Sequence, residues 1–504
     1  MSSPAVAADP ITGTDWIARS ARLPLPAGLF IDGMERPARQ GGTRSIRSPR
    51  NGQSLLDAAW ARTADVDLAV AAARTAFDHG PWPRMAARER GEILQRFADL
   101  LEWHRSDLAL LISLEMGKPI RDSYGIETRA LIRCVRFYGE LADQDAGEIP
   151  RTAEGELALV TREPAGVVAA VVPWNFPLTI GSWKFAPALA AGCTVVLKTS
   201  ERSPLSMQLV ARIGRDAGLP AGVLNVINGD GEVTGRRLGE HPAVDVLTFT
   251  GSTAVGRHFL RYSADSNLKR VYLELGGKSP NIIMADAPDL AAAADTAAWA
   301  IFFNSGQMCT AGSRLLLHHQ IAGEVLERII ADLPRWQPGD PLLPATRMGP
   351  LADHAHLAGV QQRLAAGIAE GASIRAGGNT TNTGSGGSYL EPTVFSAPAD
   401  NPLVKEEIFG PVLSVQVFSD EAEALELAGD TPYGLAAAVW TADLGRAHRM
   451  SRRLRAGTVW VNCYEEGDMK VPFGGVKLSG HGRDKSSHAL AEYSDLKTTW
   501  INYG

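Results

Sequence analysis

The sequence is poor in cysteine: four in 504 residues, at positions 134, 193, 309 and 463. They are far apart and form neither CxxC pairs nor Cys/His clusters, which speaks against a zinc site and against a disulfide framework. No uninterrupted apolar run approaches the length of a membrane span. A strong charge of either sign is missing too. The net charge is −6, with 50 basic against 56 acidic side chains, so nothing favours nucleic acid or anionic lipid as a partner. Met1 to Pro26 lacks the basic start and apolar block of a secretory signal and is expected to fray or lie along a partner surface. No repeat of solenoid period is visible. The expected compartment is the reducing cytoplasm.

A chain of this length, 45% hydrophobic and 21% charged, is globular and too long for one ordinary core, so at least two domains are expected. Val66, Leu68, Ala69, Ala72 and Phe77 recur at helical spacing, and a second helical stretch runs from Arg88 to Glu115. The character then changes. β-Branched runs at Val167–Val172, Thr194–Lys198, Val223–Ile227 and Val244–Thr250 alternate with Ala- and Leu-rich helical segments. Such βαβ units predict a doubly wound parallel sheet. A second alternating region, with strands at Asn281–Ala285, Arg314–His318 and Val412–Phe418, predicts another α/β layer. Gly371 to Ser388 is rich in Gly, Thr, Ser and Asn and is expected as a surface loop. Glu492 to Trp500 reads as a late strand, of the kind that pairs with another subunit or domain edge.

Several short strings carry possible chemistry. Gly251-Ser252-Thr253-Ala254-Val255-Gly256 follows an apolar strand and opens a helix, where backbone N–H groups attract phosphate. Alone, it serves a plain strand-to-helix turn equally well, and Gly229-Asp230-Gly231 is weaker still. Lys198 and Glu201 stand at the carboxyl end of a strand, where ligands bind such sheets; an exposed ion pair at a helix start explains them as well. Cys309 sits in a polar turn, Phe303 to Thr310, a setting that suits a presented thiol, although most lone cysteines are inert. Glu274 enters a Gly276-Gly277 turn as a possible mobile base or a solvated strand-end charge. Asn175, in Pro173-Trp174-Asn175-Phe176-Pro177, offers an amide to an oxyanion or merely packs.

Taken in order, Pro173–Pro177, Lys198–Glu201, Phe249–Gly256, Leu273–Pro280, Phe303–Cys309, Glu407–Val412 and Pro472–Gly475 resemble the aldehyde dehydrogenase superfamily. The resemblance runs from about residue 28 to the C-terminus. It implies an α/β fold with a Rossmann-like cofactor domain, an α/β catalytic domain and a small β oligomerisation element. The corresponding segments are 1–27 as an N-terminal extension, 28–144 with 167–275 for NAD, 276–487 for catalysis, and 145–166 with 488–504 for assembly into a homodimer or homotetramer.

By the same resemblance, Cys309 is the nucleophile, Asn175 with the Cys309 N–H the oxyanion donors, and Glu274 the base that hydrolyses a thioester. The implied contacts to NAD, favoured over NADP, are Trp174, Lys198, Glu201, Gly231, Gly251, Ser252, Gly256, Glu407 and Phe409, with Lys184 near the cofactor path. Phe176, Trp183, Met308, Glu465, Asp468 and Phe473 are the implied substrate pocket, and no metal is implied. Asp484 stands where many members carry a Glu as a second base, so the base role falls on Glu274 alone.

Arg446–Arg453 and Gly482–Ser486 resemble the γ-glutamyl-γ-aminobutyraldehyde and ω-aminoaldehyde branch, which implies a polyamine-derived aldehyde as substrate. Gly467, where many members carry a bulky aromatic, implies a wide pocket mouth. The acids Glu465, Glu466 and Asp468 suit a cationic or amide-bearing tail, or a solvated loop. Broad-specificity, semialdehyde and CoA-acylating dehydrogenases are the alternatives on the same fold.

Overall fold

The computed structural model describes residues 11–144 and 146–504. Its first sheet contains β1 (Leu29–Ile31), β2 (Met34–Arg36), β3 (Val167–Val171), β4 (Thr194–Lys198), β5 (Leu224–Ile227), β6 (Val246–Gly251) and β7 (Arg270–Leu275). The spatial order is β7-β6-β3-β4-β5-β1-β2, parallel throughout except for β1 and β2 at one edge. Alternation along β3 sends Val168 and Ala170 into one core and Val167, Ala169 and Val171 into another. Both faces are thus covered, which is why the strand reads as a continuous apolar run. Each fully buried valine contributes about 1.5–3 kcal/mol relative to exposure.

The second sheet contains β8 (Pro280–Ile283), β9 (Arg314–His318), β10 (Ser373–Ala376), β11 (Thr393–Ser396), β12 (Val412–Phe418), β13 (Ala436–Trp440) and β14 (Thr458–Val461). Its order is β10-β11-β12-β9-β8-β13-β14, antiparallel only between β10 and β11. In the first sheet the connections diverge between β3 and β6, so a crevice opens beyond their carboxyl ends. The loop after β3 carries Trp174 and Asn175; β6 leads through Ser252 into α3 (Thr253–Ala264). Two further helices bear on the site, α1 (Thr128–Leu141) and α2 (Pro177–Ala190).

Three expectations need correction. The segment from Gly371 to Ser388 is not all loop. It holds β10 and pairs Thr380–Thr381 with Tyr389–Leu390. β10 is an edge strand with three of its four residues exposed, so it lacks the burial that would mark it in sequence. The helical stretch from Arg88 to Glu115 is two helices, Ala87–Trp103 and Arg105–Met116, broken at His104. Residues 1–10 of the N-terminal segment lie outside the described residues, but the rest does not fray. Trp16 is 2% exposed and packs in one cluster with Ala109, Leu110 and Leu114 of its own chain. The expected late strand is present as Ser494–Asn502 and pairs antiparallel along its whole length with Glu156–Pro164, forming a two-stranded ribbon.

Candidate active site

Cys309 follows a tight turn over Phe303–Gly306, in which Asn304 and Ser305 adopt left-handed backbone angles (φ 50° and 57°). The turn is held from inside. Asn304 donates its amide to the carbonyls of Asn175 and Gln307, both at 3.2 Å, and Asn175 Nδ2 donates to the Gln307 carbonyl at 2.9 Å. One amide hydrogen of Asn175 is thereby fixed, and the second remains on a side chain that borders the same cavity as Cys309.

That cavity, about 250 Å³, opens at the β3/β6 crevice. Trp174, Asn175, Gly251 and Ser252 line it from the first sheet; Cys309, Glu407 and Phe409 line it from the other side. Ser252 caps α3, its Oγ accepting from the Val255 N–H at 3.4 Å. Trp174 meets Phe409 and His356 edge-on, with ring centroids 5.4 and 5.3 Å apart. The His356 ring is bonded through Nε2 to the Phe409 carbonyl at 2.8 Å.

Glu274, at the end of β7, turns its carboxyl elsewhere. Neither oxygen has a hydrogen-bond partner, and a Cβ on Gly474 would stand only 2.6 Å from Oε1. Burial, then the neighbouring Asp484, raises its pKa well above the ordinary carboxylate value. Close packing accounts for the glycines at 276 and 277. A Cβ on Gly276 would lie 2.2 Å from Glu407 Oε2, and one on Gly277 2.5 Å from the Cys309 carbonyl. These residues let β7 pass hard against the nucleophile, while the Gly277 N–H donates to Glu407 Oε1 at 3.1 Å.

The thiol of Cys309 is pushed up, by burial first and then by Glu465, Glu407 and Glu274. The charges around the thiol are acidic. Glu407 itself is raised to about 7 by burial.

The remaining implied cofactor residues form a cluster outside the 250 Å³ cavity. Glu201 Oε1 accepts from Lys198 Nζ at 3.2 Å and from the Gly231 N–H at 2.6 Å. The exposed-pair alternative fails for Lys198, which is 2% exposed with its pKa lowered by burial. Gly256 does not line the cavity. A Cβ there would meet Leu275 at 2.8 Å, so this glycine serves the packing of α3 on β7. Lys184 does not line this cavity either. It is locked on α2 to both oxygens of Asp484, at 2.9 and 2.7 Å, in a fully buried pair.

Of the implied substrate residues, Trp183, Glu465 and Asp468 line a second cavity of about 700 Å³, as does Gly467. Phe473 packs on Trp183 with centroids 5.0 Å apart. Met308 and Phe176 line neither cavity and pack in the second-sheet core with Phe303. Glu466 is exposed and outside the cavity. The acidic mouth expected from sequence is incomplete. Glu140, Glu465 and Asp468 face Arg129, Arg133, Arg136, Lys470 and Lys485. The first three of those cations come from α1, far away in the chain.

Sequence reading also missed a buried support. Lys118 pairs with Glu127, donates to the Asn175 carbonyl at 2.9 Å and lies 3.6 Å from the Phe176 ring centre. Glu127 Oε1 in turn accepts from the Leu178 N–H at 3.0 Å. The local sequence signal was slight: a helix stop at Gly117, φ 80°, followed by Lys118-Pro119. Among the described residues no group of three or more His, Cys, Asp or Glu side chains is placed to hold a metal ion.

Comparison with known proteins agrees with this architecture. The sequence profile of the aldehyde dehydrogenase family matches residues 37–499. The chain is 48% identical to the NADP/NAD-dependent aldehyde dehydrogenase PuuC of Escherichia coli (strain K12), over 97% of this chain and 98% of that one. Among solved structures, γ-glutamyl-γ-aminobutyraldehyde dehydrogenase from Burkholderia cenocepacia J2315 superposes with a TM-score of 0.96 at 51% identity, covering 97% of this chain and 99% of that one. An indole-3-acetaldehyde dehydrogenase in complex with NAD+ gives the same TM-score and coverage at 50% identity. The chain belongs to the aldehyde dehydrogenase family.

Proposed function

We propose that the protein oxidises an aldehyde to a carboxylate with NAD, through a thioester on Cys309, and that its substrate is γ-glutamyl-aminobutyraldehyde or another polyamine-derived ω-aminoaldehyde. One observation carries the chemistry: a single cavity joins Cys309 and Asn175 to the β3/β6 crevice and to Glu407. The names of the relatives, PuuC and a γ-glutamyl-γ-aminobutyraldehyde dehydrogenase, support the substrate class.

The donor set fits NAD. Glu201, steadied by Lys198 and Gly231, offers a carboxylate for a ribose diol and would repel a 2′-phosphate. The N-terminus of α3 at Ser252 suits a pyrophosphate, and Trp174, Glu407 and Phe409 suit the nicotinamide end. The NAD+ named with the indole-3-acetaldehyde dehydrogenase structure supports the same choice. When bound, NAD supplies the acceptor for the hydrogen and electron pair that the aldehyde gives up.

Cys309 loses its thiol proton to water and attacks the carbonyl carbon through Sγ as the thiolate, and the oxygen that becomes negative is met by the second Asn175 amide hydrogen and the Cys309 N–H. After oxidation a thioester remains on Cys309. Glu274 then takes a proton from water, which attacks the thioester, releases the carboxylate and restores the thiol. Its carboxyl has no hydrogen bond to break on turning toward Cys309. The Lys184–Asp484 pair beside it offers the shorter acid a fixed position in the route of that proton.

The same reading assigns 28–144 with 167–275 to NAD binding, 276–487 to catalysis, and 145–166 with 488–504 to assembly. Leu496 and Trp500 on the outer ribbon strand are 64% and 58% exposed, an apolar edge that a second subunit would cover. Four free cysteines and no helix among the described residues long and apolar enough to cross a membrane support a cytoplasmic enzyme. Product analysis tests the whole reading. Carboxylate and NADH should form in equal amounts without CoA, and an absolute requirement for CoA would overturn hydrolysis.

A further inference from the structure

The larger cavity holds charges that a simple cation-binding mouth would not need. α1 presents Arg129, Arg133 and Arg136 at helical spacing on the face that lines it. Arg136 is committed to Asp99 at 2.8 Å and Gln95 at 3.4 Å. Arg129 and Arg133 make no ion pair or side-chain hydrogen bond among the described residues, although both are long enough to find partners. Exposed and four residues apart on one helix face, their two guanidinium groups are both within the same cavity mouth, where forked donors suit a carboxylate.

The opposite wall brings the acids, Glu465 and Asp468, interleaved with Lys470 and Lys485. Glu465 and Asp468 lie on the loop before β-bridged Phe473, and Glu465 has a left-handed backbone (φ 60°) that directs it inward. Its Oε1 is shut off from solvent and has no hydrogen-bond partner. Glu465 is also the leading charged neighbour of the Cys309 thiol, so this wall connects the mouth to the nucleophile. Trp183 and Phe137 supply the apolar stretch between. A tail carrying only an ammonium group would meet Glu465 and Asp468 but would offer nothing to the exposed Arg129 and Arg133. A tail with both charges matches both walls.

We propose that Arg129 and Arg133, facing Glu465 and Asp468, form a tail-binding subsite that selects aldehydes whose far end carries a carboxylate together with an amine. This deepens the function proposed above and rests on it for the reacting end. An amino-acid-ended tail, such as a γ-glutamyl amide, is then preferred to a plain ω-aminoaldehyde of equal length.

The test compares amides of 4-aminobutyraldehyde on the full-length enzyme: γ-glutamyl, glutaryl (amine removed) and 4-aminobutanoyl (carboxylate removed), each referred to propanal. Loss of the carboxylate should lower kcat/KM by about tenfold or more, and Arg129→Gln with Arg133→Gln should erase most of that preference. Equal or better use of the 4-aminobutanoyl amide by the parent, or an unaltered preference in the double variant, overturns the subsite. Unreactive butylamides with the same tails, titrated calorimetrically, give a readout independent of turnover. Carboxylate-dependent binding without any aldehyde oxidation would sink the proposed reaction and keep the subsite. Oxidation of all tails alike, with no difference in binding, would do the reverse.

Discussion

Asn175 and Gln307 are 132 residues apart in sequence, yet the Asn175 amide donates to the Gln307 carbonyl at 2.9 Å, two residues before Cys309. The bond ties the loop after β3 to the nucleophile's turn. Asn175→Ala removes the tie and the free amide hydrogen together. We expect kcat/KM to fall by about 10²–10³, the range for loss of one oxyanion donor. Unaltered turnover with propanal would remove Asn175 from the oxyanion site.

Cys309→Ala should abolish oxidation while calorimetric NAD binding persists, because the implied cofactor residues lie on other elements. Residual steady-state NADH formation would place the nucleophile elsewhere. Glu274→Gln should leave a burst of NADH and slow the steps after it; a steady state faster than the parent's would contradict the base assignment.

Acidic neighbours set the thiol's pH response. Burial raises Cys309, and an ionised Glu465 raises it further. Glu465 itself is pushed up to about 7, so it is mostly charged at pH 8 and mostly neutral at pH 6. Glu465→Gln should therefore lower the thiol pKa only where the acid was ionised. Alkylation by iodoacetamide should accelerate about two- to tenfold at pH 8 and hardly at pH 6. Cys309→Ala is the control, since Cys463 is also half-buried. Slower alkylation at pH 8 would mean that Glu465 assists the thiol as a base.

Glu201 stands against Lys198 and the Gly231 N–H as the acid of the implied ribose site. NAD should exceed NADP in kcat/KM, and Glu201→Gln should narrow the ratio by about tenfold through loss of like-charge repulsion. A parent preference for NADP would overturn this orientation.

Lys118 and Glu127 form a buried ion pair beneath the Asn175 loop. Lys118→Met leaves a buried carboxylate without its cation and should cost about 3–5 kcal/mol. Chemical denaturation measures the loss, and Glu127→Gln in the same chain should recover part of it. If the single variant is as stable as the parent, the pair does not hold the loop.

Much of this site was legible where a residue's task is local. Thr194–Lys198, Arg314–His318 and Val412–Phe418 were read to the residue because each is a short, mostly apolar run of strand length between turn-rich segments, and in the folded chain nearly all of their residues are buried. Cys309, Asn175 and Glu407 were legible through an ordered set of motifs, and the structure brings them to one cavity. Tasks created by folding were not. Lys118 acts on a residue 57 positions away, and Arg129 and Arg133 reach the mouth only because α1 crosses it. The Gly276-Gly277 pair was visible, but its cause, the crowding of Glu407 and Cys309 against β7, belongs to the packed chain.

The ribbon ties distant parts of the chain together. Its inner strand leads straight into β3, where the Ala165 N–H holds the Tyr493 carbonyl at 3.0 Å, and its outer strand begins two residues after Glu492. Glu492 in turn anchors the Arg483 N–H at 2.6 Å, next to Asp484. A pull on the ribbon is therefore transmitted along two short tethers, one to the β3 crevice and one to the acids behind Glu274. On the assembly and the base role proposed above, a subunit that grips the ribbon would bear on both the β3 crevice and the acids behind Glu274.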